Sequence, residues 1–427
     1  MSAAIIFGLL LVLMLTGMPI SIALGLTVLT FLFTMTEVPL EAVALKLFTG
    51  IEKFEIMAIP FFILAGNFLT HGGVARRMIA FASAMVGHWH GGLGLAGVAA
   101  CALFAAVSGS SPATVVAIGS ILLPAMLKAG FPNKFGAGIV TTSGALGILI
   151  PPSIVMVMYS VATNTSVGAM FMAGVVPGLV LAGVLGGVTW WRARKFNYPR
   201  LPKASFALRL RTFRDSLWGL LLIVIVMGGI YAGLFTATEA AAMSAVYAFI
   251  IAVFVYKDMR ITDVPRVLLT SANMSAMLLY IITNAVMFSF ILTNENIPQS
   301  LADWMLAQGL GPIAFLLAVN ILLLAAGNFM EPTSIVLIFA PILFPVAMKL
   351  GIDPVHFGII MVVNMEVGMC HPPVGLNLYV ASGITKMGIT ELTVAVWPWL
   401  LAMLTFLMVV TYWPGLSIAF PTWLGMM

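Results

Sequence analysis

The sequence predicts an all-α polytopic membrane protein made of two inverted repeats, each with a re-entrant helical hairpin and a broken helix. Three observations lead there. Of 427 residues, 62% are hydrophobic and 8% charged, against roughly 25% charged in an ordinary soluble domain. Apolar stretches of the length that crosses a bilayer recur from residue 3 to residue 413 with brief polar breaks, so almost the whole chain belongs in lipid. Proline and glycine also recur in register. Pro112 matches Pro332 at an offset of 220, and Pro124 with Pro345, Gly130 with Gly351, Pro151-Pro152 with Pro372-Pro373 and Pro177 with Pro398 share an offset of 221. Such self-similarity is the mark of a duplicated unit.

Orientation follows from the basic residues. The segment 192–214 holds eight of them (Arg192, Arg194, Lys195, Arg200, Lys203, Arg209, Arg211, Arg214) and no acidic residue, so it is expected in the cytoplasm as a linker between the repeats. Outward from it, Leu217 to Leu234, Thr238 to Tyr256 and about Leu268 to Leu292 read as spans. They end at a stretch with Glu295 and Asp303 but no Lys or Arg, expected outside. Backward, Phe171 to Trp191 and Ile56 to Leu69 are spans, the latter delivering Arg76 and Arg77 to the cytoplasm. Ala3 to Thr34 then crosses twice, turning at Thr16, Gly17, Met18 and Pro19. The N-terminus lacks a charged n-region and a small-residue cleavage site, so Met1 to Thr34 reads as structure, not as a removable signal. On this map both termini are periplasmic, and of 19 basic residues only Lys46, Lys53 and Lys349 fall outside. Orientation therefore explains the net charge of +5 better than a nucleic-acid partner does. The repeats are expected at 1–191 and 215–427. Their hairpins lie at about 92–128 and 311–349, and their broken helices at about 133–163 and 355–384.

Each repeat contains two apolar stretches interrupted by small, polar and proline residues, where a plain span would be unbroken. Irregular backbone at membrane depth is tolerated only where protein or a cavity satisfies it. The first hairpin tip is Ser108-Gly109-Ser110-Ser111-Pro112, with Ser111 suited as N-cap and Pro112 as first helical residue, which aims backbone N–H groups and a positive helix end at an anion. Its counterpart is Gly327-Asn328-Phe329-Met330-Glu331-Pro332-Thr333. Ser110, Ser111 and Pro112 with Asn328, Pro332 and Thr333 are the candidate solute-binding residues. The two breaks are Gly144 to Pro152 and Gly368 to Pro373. Proline removes donors and glycine permits unwinding, so free carbonyls beside hydroxyls form the hard oxygen set a sodium ion prefers. One cation set is Ser108 and Ser111 with carbonyls near Gly144, Gly147 and Pro151. The symmetric set is Gly327 and Thr333 with carbonyls near Met365, Gly368 and Cys370.

Ionisable groups at membrane depth are functional by default. Glu331 is either such a group or a hydrogen-bonded hairpin brace, and Glu366 lies one turn before a break with the same two readings open. His371 could be a ligand, a proton-sensitive group or a neighbour packed on the prolines, the last being preferred. His71, His88 and His90 read as cytoplasmic surface, and the 29 methionines as filler and lipid-facing residues. Cys101 and Cys370, both in apolar surroundings, do not read as a disulfide framework or a metal site. No His-Glu-Xaa-Xaa-His, Asp dyad or Ser-Lys arrangement appears within the spans, so an intramembrane enzyme is not expected. A channel fits two inverted hairpins less well than alternating access does.

At Thr16-Gly17-Met18-Pro19, Ile59-Pro60-Phe61-Phe62-Ile63-Leu64-Ala65-Gly66-Asn67 and Gly73-Val74-Ala75-Arg76-Arg77 the chain resembles the large membrane subunit of tripartite ATP-independent periplasmic (TRAP) transporters of the C4-dicarboxylate type. The resemblance continues through Ser108 to Thr114, Gly147 to Ser153, Gly327 to Pro332 and Pro372 to Leu378, and covers essentially the whole length. It implies an elevator of the ion-transporter superfamily, a mobile domain of hairpins and broken helices carried by a fixed scaffold. It also implies sodium-driven uptake of a small carboxylate, a small four-helix membrane partner and a soluble periplasmic solute-binding protein. Where the family pattern has Thr ahead of the double proline, this chain has Cys370 and His371. A self-contained carboxylate symporter or antiporter of the same fold is the nearest alternative.

Overall fold

The computed structural model describes residues 2–36, 38–309 and 311–426, and every regular element within them is helical. The chain opens with α1 (Ser2–Leu15) and α2 (Ile20–Met35). They part at the expected turn, where Gly17 adopts a positive φ of 81° and Pro19 cannot continue a helix from α1. Next come α3 (Leu40–Thr49), a 3-10 turn at Phe54–Met57, α4 (Ala58–His71) and α5 (Val74–Val86). Neither α3 nor α5 was expected: both are short, and α5 buries a helical stripe of Val74, Ala75, Met78, Ile79 and Ala82 beside exposed polar positions.

Helix pairs joined by short tips, and interrupted helices, follow. The first hairpin is α6 (Gly92–Ser108) and α7 (Ser111–Lys128); the first broken helix is α8 (Asn133–Gly144), a 3-10 turn at Ala145–Ile148, and α9 (Ile154–Thr163). The long α10 (Val167–Lys195) leads to α11 (Phe206–Tyr231), α12 (Ala237–Ile250), which runs on through a π turn at Ile251–Val255, and α13 (Val264–Asn294). Then come α14 (Ile297–Ala307), the second hairpin α15 (Pro312–Gly327) and α16 (Pro332–Lys349), the second broken helix α17 (Pro354–Gly368) and α18 (Leu376–Thr385), α19 (Ile389–Tyr412) and α20 (Gly415–Trp423). The starts of α7 and α8 recur 221 residues on at α16 and α17, and those of α9 and α10 recur 222 residues on at α18 and α19. Both double prolines are joined by cis peptide bonds.

One expected boundary differs. Segment 192–214 is not a free linker: Arg192 to Lys195 end α10, and Arg209 to Arg214 lie in the first turns of α11. Both helices outrun the apolar thickness they cross, and only 196–205, broken by Pro199 and Pro202, is non-helical. The terminal residues Met1 and Met427 lie outside the described residues.

Among the described residues eight helical segments are long and apolar enough to cross a membrane, from Phe54–His71 to Ile389–Tyr412. The protein is a multi-pass membrane protein. Its lipid-facing shell exposes large apolar side chains such as Leu179, Val224 and Leu269, as a membrane surface permits. The main core runs from α4 to α20, and a smaller one joins α1, α2 and α3 to α13 and α16 through Leu24, Phe31, Phe288 and Ile342. With little hydrophobic force between helices in lipid, close approach and polar contacts hold such a bundle. Trp399 Nε1 donates to Thr189 Oγ1 at 2.9 Å, tying α19 to α10. Asn364 Nδ2 donates to Asn320 Oδ1 at 2.8 Å and Asn320 Nδ2 to Thr411 Oγ1 at 2.9 Å, threading α17, α15 and α19.

Small residues set the spacing of α8 on α19. A Cβ on Gly138 would lie 2.6 Å from the Trp399 ring and 2.7 Å from the Ala395 carbonyl oxygen. Backbone must move to admit it, and overpacking of this kind costs about 1–3 kcal/mol. Gly138→Ala is therefore expected to lower the thermal unfolding midpoint of the detergent-purified protein, while Gly183→Ala, whose added carbon meets nothing within 4 Å, leaves it unchanged.

Candidate functional site

At the first hairpin tip the chain leaves α6 through Gly109, whose φ of 61° lies in the left-handed region. Its open Cβ position is 2.8 Å from the Pro152 carbonyl oxygen, so a side chain there would be both strained and obstructed. Ser110, in extended conformation, is the N-cap of α7 and makes no side-chain cap. Ser111 is thus the first helical residue and Pro112 the second, one position later than expected. The reason lies in the hydroxyl of Ser111, which donates to the Ala145 carbonyl at 2.8 Å instead of capping its own helix. Ser108 Oγ lies 2.9 Å from Thr114 Oγ1, which donates to the Ser110 carbonyl at 2.9 Å. The N–H groups of Ser111 and Ala113 face out of the first turn, and no acidic residue stands among positions 108–114.

This tip is seated on the first break. A Cβ on Gly147 would come 2.6 Å from the Ser110 carbonyl oxygen and 2.8 Å from the Ser111 Cα, so hairpin backbone touches unwound backbone directly. Ser108, Ser110, Ser111, Gly144 and Gly147 are gathered there. Pro151 also lines an apolar cavity of about 550 Å³ with Leu103, Ala106 and Phe420.

The second tip repeats the contact with different chemistry. Gly327 and Gly368 meet so closely that a Cβ on either would lie about 3.0 Å from the other's Cα. The Gly375 N–H donates to the Asn328 carbonyl at 3.3 Å, and Gly375 itself has a φ of 54°. Asn328 Nδ2 donates to Leu324, leaving its Oδ1 to accept from His371 Nδ1 at 3.1 Å. His371 is therefore a partner of the hairpin tip and not merely packed on the prolines. Glu331 is the N-cap residue of α16, and its Oε1 accepts from the hydroxyls of Thr333 (2.6 Å) and Ser334 (3.0 Å). It braces the tip, and its carboxylate stands at the positive end of α16. The two tips differ in composition as a result: that of α16 carries a carboxyl group of its own, while that of α7 has no acidic residue.

Met365 lies within α17, its carbonyl accepting from the Met369 N–H at 2.9 Å, so the second break begins at Met369. Cys370 Sγ donates to the Thr141 carbonyl at 3.4 Å and joins the two broken helices. The hairpins also cross over, α7 packing on α18 and α16 on α9. Among the described residues no hydrogen bond runs from Ser110 or Ser111 to Asn328 or Thr333. The solute-site candidates stand as two pairs on separate tips, linked through the broken helices.

Beside Glu366, which the sequence singles out, three further participants emerge only in the structure. Ser143 Oγ, Asn364 Oδ1, Asn377 Oδ1 and both Glu366 carboxylate oxygens are buried without a hydrogen-bond partner. Buried polar atoms are nearly always satisfied, so acceptor oxygens left over beside both breaks fit a cation. Ser143 and Asn364 stand 221 residues apart in sequence, which was the available signal.

Away from the tips, Lys53 Nζ donates to the Val161 carbonyl at 2.6 Å and to Asn164 Oδ1 at 2.7 Å, closing the C-terminal end of α9. Burial pushes its pKa below the usual lysine range, with Glu55 opposing.

Over residues 7–416 the chain matches the family described as the tripartite ATP-independent periplasmic transporter, DctM component. The chain belongs to that family. It is 76% identical to the C4-dicarboxylate TRAP transporter large permease protein of Rhodobacter capsulatus, over 100% of both chains. It is 55% identical to the protein of that description from Pseudomonas aeruginosa, over 95% of each. Among solved structures it resembles the Alcanivorax borkumensis YdaH transporter, with a TM-score of 0.63 at 15% identity over 89% of this chain and 90% of that one, a likeness of fold. The relatives are permease subunits, and this TRAP large permease is a transporter subunit, not an enzyme.

A Cβ at Gly147 must displace the backbone of the tip, so Gly147→Ala is expected to cut solute uptake by about tenfold or more, the equivalent of ~1.4 kcal/mol, at unchanged membrane abundance. Ser110→Ala, Ser111→Ala, Asn328→Ala and Thr333→Ala are each expected to lower uptake at normal abundance; wild-type uptake in all four would remove the tips from the solute site.

Proposed function

We propose that this TRAP large permease is the translocating subunit of a sodium-driven uptake system for a small carboxylate, of the C4-dicarboxylate class, in the bacterial inner membrane. The observation that carries the reading is the seating of each hairpin tip on an unwound helix, at Gly147 for one and at Gly327 with Gly368 for the other. Such a junction offers N–H donors and a helix end to an anion, and carbonyl and hydroxyl oxygens to a cation. The acid-free tip of α7 suits a solute carboxylate. Ser110 and Ser111, with Asn328 and Thr333 from the other tip, are its contacts. The relatives named for C4-dicarboxylate support the solute class.

Two sodium sites follow, one per break, because oxygens are gathered at both. Ser108, Ser111, Gly144 and Gly147 contribute to the first, joined by the Ser143 hydroxyl. Gly327, Thr333, Gly368 and Cys370 contribute to the second, joined by Asn364 and Asn377. Residues 1–191 and 215–427 act as inverted repeats, hairpins and broken helices moving together as the elevator. Basic segment 192–214 lies in the cytoplasm and both termini outside. A small four-helix membrane subunit and a periplasmic solute-binding protein complete the tripartite system that the family description names.

Reconstituted with those partners, an inward sodium gradient is expected to drive accumulation of succinate, with a cooperative dependence on sodium and more than one ion per solute. Full accumulation from a pH gradient with sodium absent would overturn the sodium sites and turn attention to Glu331, Glu366 and His371. Uptake at full rate without the binding protein would make the protein a self-contained symporter. For orientation, Lys203→Cys is expected to resist a membrane-impermeant maleimide in intact cells, and labelling from the periplasm would reverse the topology and with it the inversion.

A further inference from the structure

Of the three basic residues that the basic-residue map places outside, Lys46, Lys53 and Lys349, the last is paired with Asp303 at 2.9 Å. The other two, Lys46 and Lys53, make no ion pair among the described residues, and both line one cavity of about 350 Å³, within the ~300–1,000 Å³ of small-molecule sites. The cavity lies between α3 and α13 on one side and α9 and α16 on the other, with Ser289, Thr293, Ala162 and Leu337 in its walls and no acidic side chain among its lining residues. Lys46 reaches over the Phe290 ring, its Nζ 5.6 Å from the centroid. Lys53 spends two of its three N–H donors on neutral acceptors at the end of α9, leaving one donor free. Leu337 stands one helical turn from Thr333 on α16, so the cavity opens just beyond the second hairpin tip.

We propose that this cavity is a receiving site where a carboxylate of the incoming solute is held by Lys46 and Lys53 before it passes to the hairpin tips. The inference rests on the carboxylate-uptake reading and adds a second, outer binding site to it. Two lysines that line one cavity with no acidic side chain in its walls raise the local concentration of an anion there, and Glu55, which acts on Lys53, is not among the lining residues. A phospholipid phosphate offers the same anionic chemistry, and the test separates the two.

Ser289→Cys places a reporter thiol in the wall, against a background whose two native cysteines are buried. In the complete transporter reconstituted in phosphatidylcholine vesicles, succinate is expected to slow modification by an impermeant maleimide about tenfold, the scale of one charge-assisted hydrogen bond, while uncharged succinamide does not. Protection is expected to persist with Ser110→Ala and Ser111→Ala, which weaken the inner site, and to vanish with Lys46→Gln or Lys53→Gln, the unprotected labelling rate serving as the check on folding. Failure of succinate to protect a complex that still accumulates it would overturn the receiving site and leave the uptake reading standing. Absence of carboxylate uptake by the parent complex would instead strike the uptake reading. Protection by anionic lipid alone, with no further effect of succinate, would make the cavity a lipid site and overturn the proposal.

Discussion

The structure depends on one constraint: in lipid every backbone polar group must find its partner inside the protein. A continuous helix meets this by itself, and most of the chain does so. Two helices in this chain are interrupted, and each interruption leaves N–H and C=O groups that lipid cannot satisfy. The hairpin tips supply the remedy. Ser111 donates to the Ala145 carbonyl and Gly375 to the Asn328 carbonyl, so each break is closed by the tip beside it. The glycines at these junctions are small because backbone meets backbone there.

That remedy makes the site. Groups gathered near a break are not all consumed by it, and oxygens of Ser143, Asn364, Asn377 and Glu366 remain buried without a hydrogen-bond partner. The two halves diverge in composition: the α7 tip is free of acid, whereas Glu331 occupies the head of α16 and ties Thr333 and Ser334 to itself. The two tips thus carry unlike side chains on similar backbones.

Local order was largely readable before any coordinates. The turn at Thr16 to Pro19, both hairpins and both breaks depend on proline and glycine, whose backbone effects are local and survive any tertiary setting. Spans depend on hydropathy, which the bilayer reads directly. Short helices such as α3 and α5 were missed because ten or so residues with mixed polarity stand out in neither respect. The N-cap of α7 was displaced by one residue because the Ser111 hydroxyl has a distant competitor, the carbonyl of residue 145, that no local rule can see. His371 was assigned to the prolines beside it in sequence, and its hydrogen-bond partner is Asn328, 43 positions away.

The sequence by itself therefore determined that this protein lives in a membrane and where proline and glycine interrupt its helices. Composition and the stereochemistry of proline and glycine suffice for that. Only the tertiary structure decided which tip closes which break, that Glu331 braces its own hairpin, that Pro151 lines an apolar cavity, and that Lys46 and Lys53 share another. Those outcomes depend on contacts between residues distant in the chain, and such contacts are set by how helices pack, a property that no single segment carries.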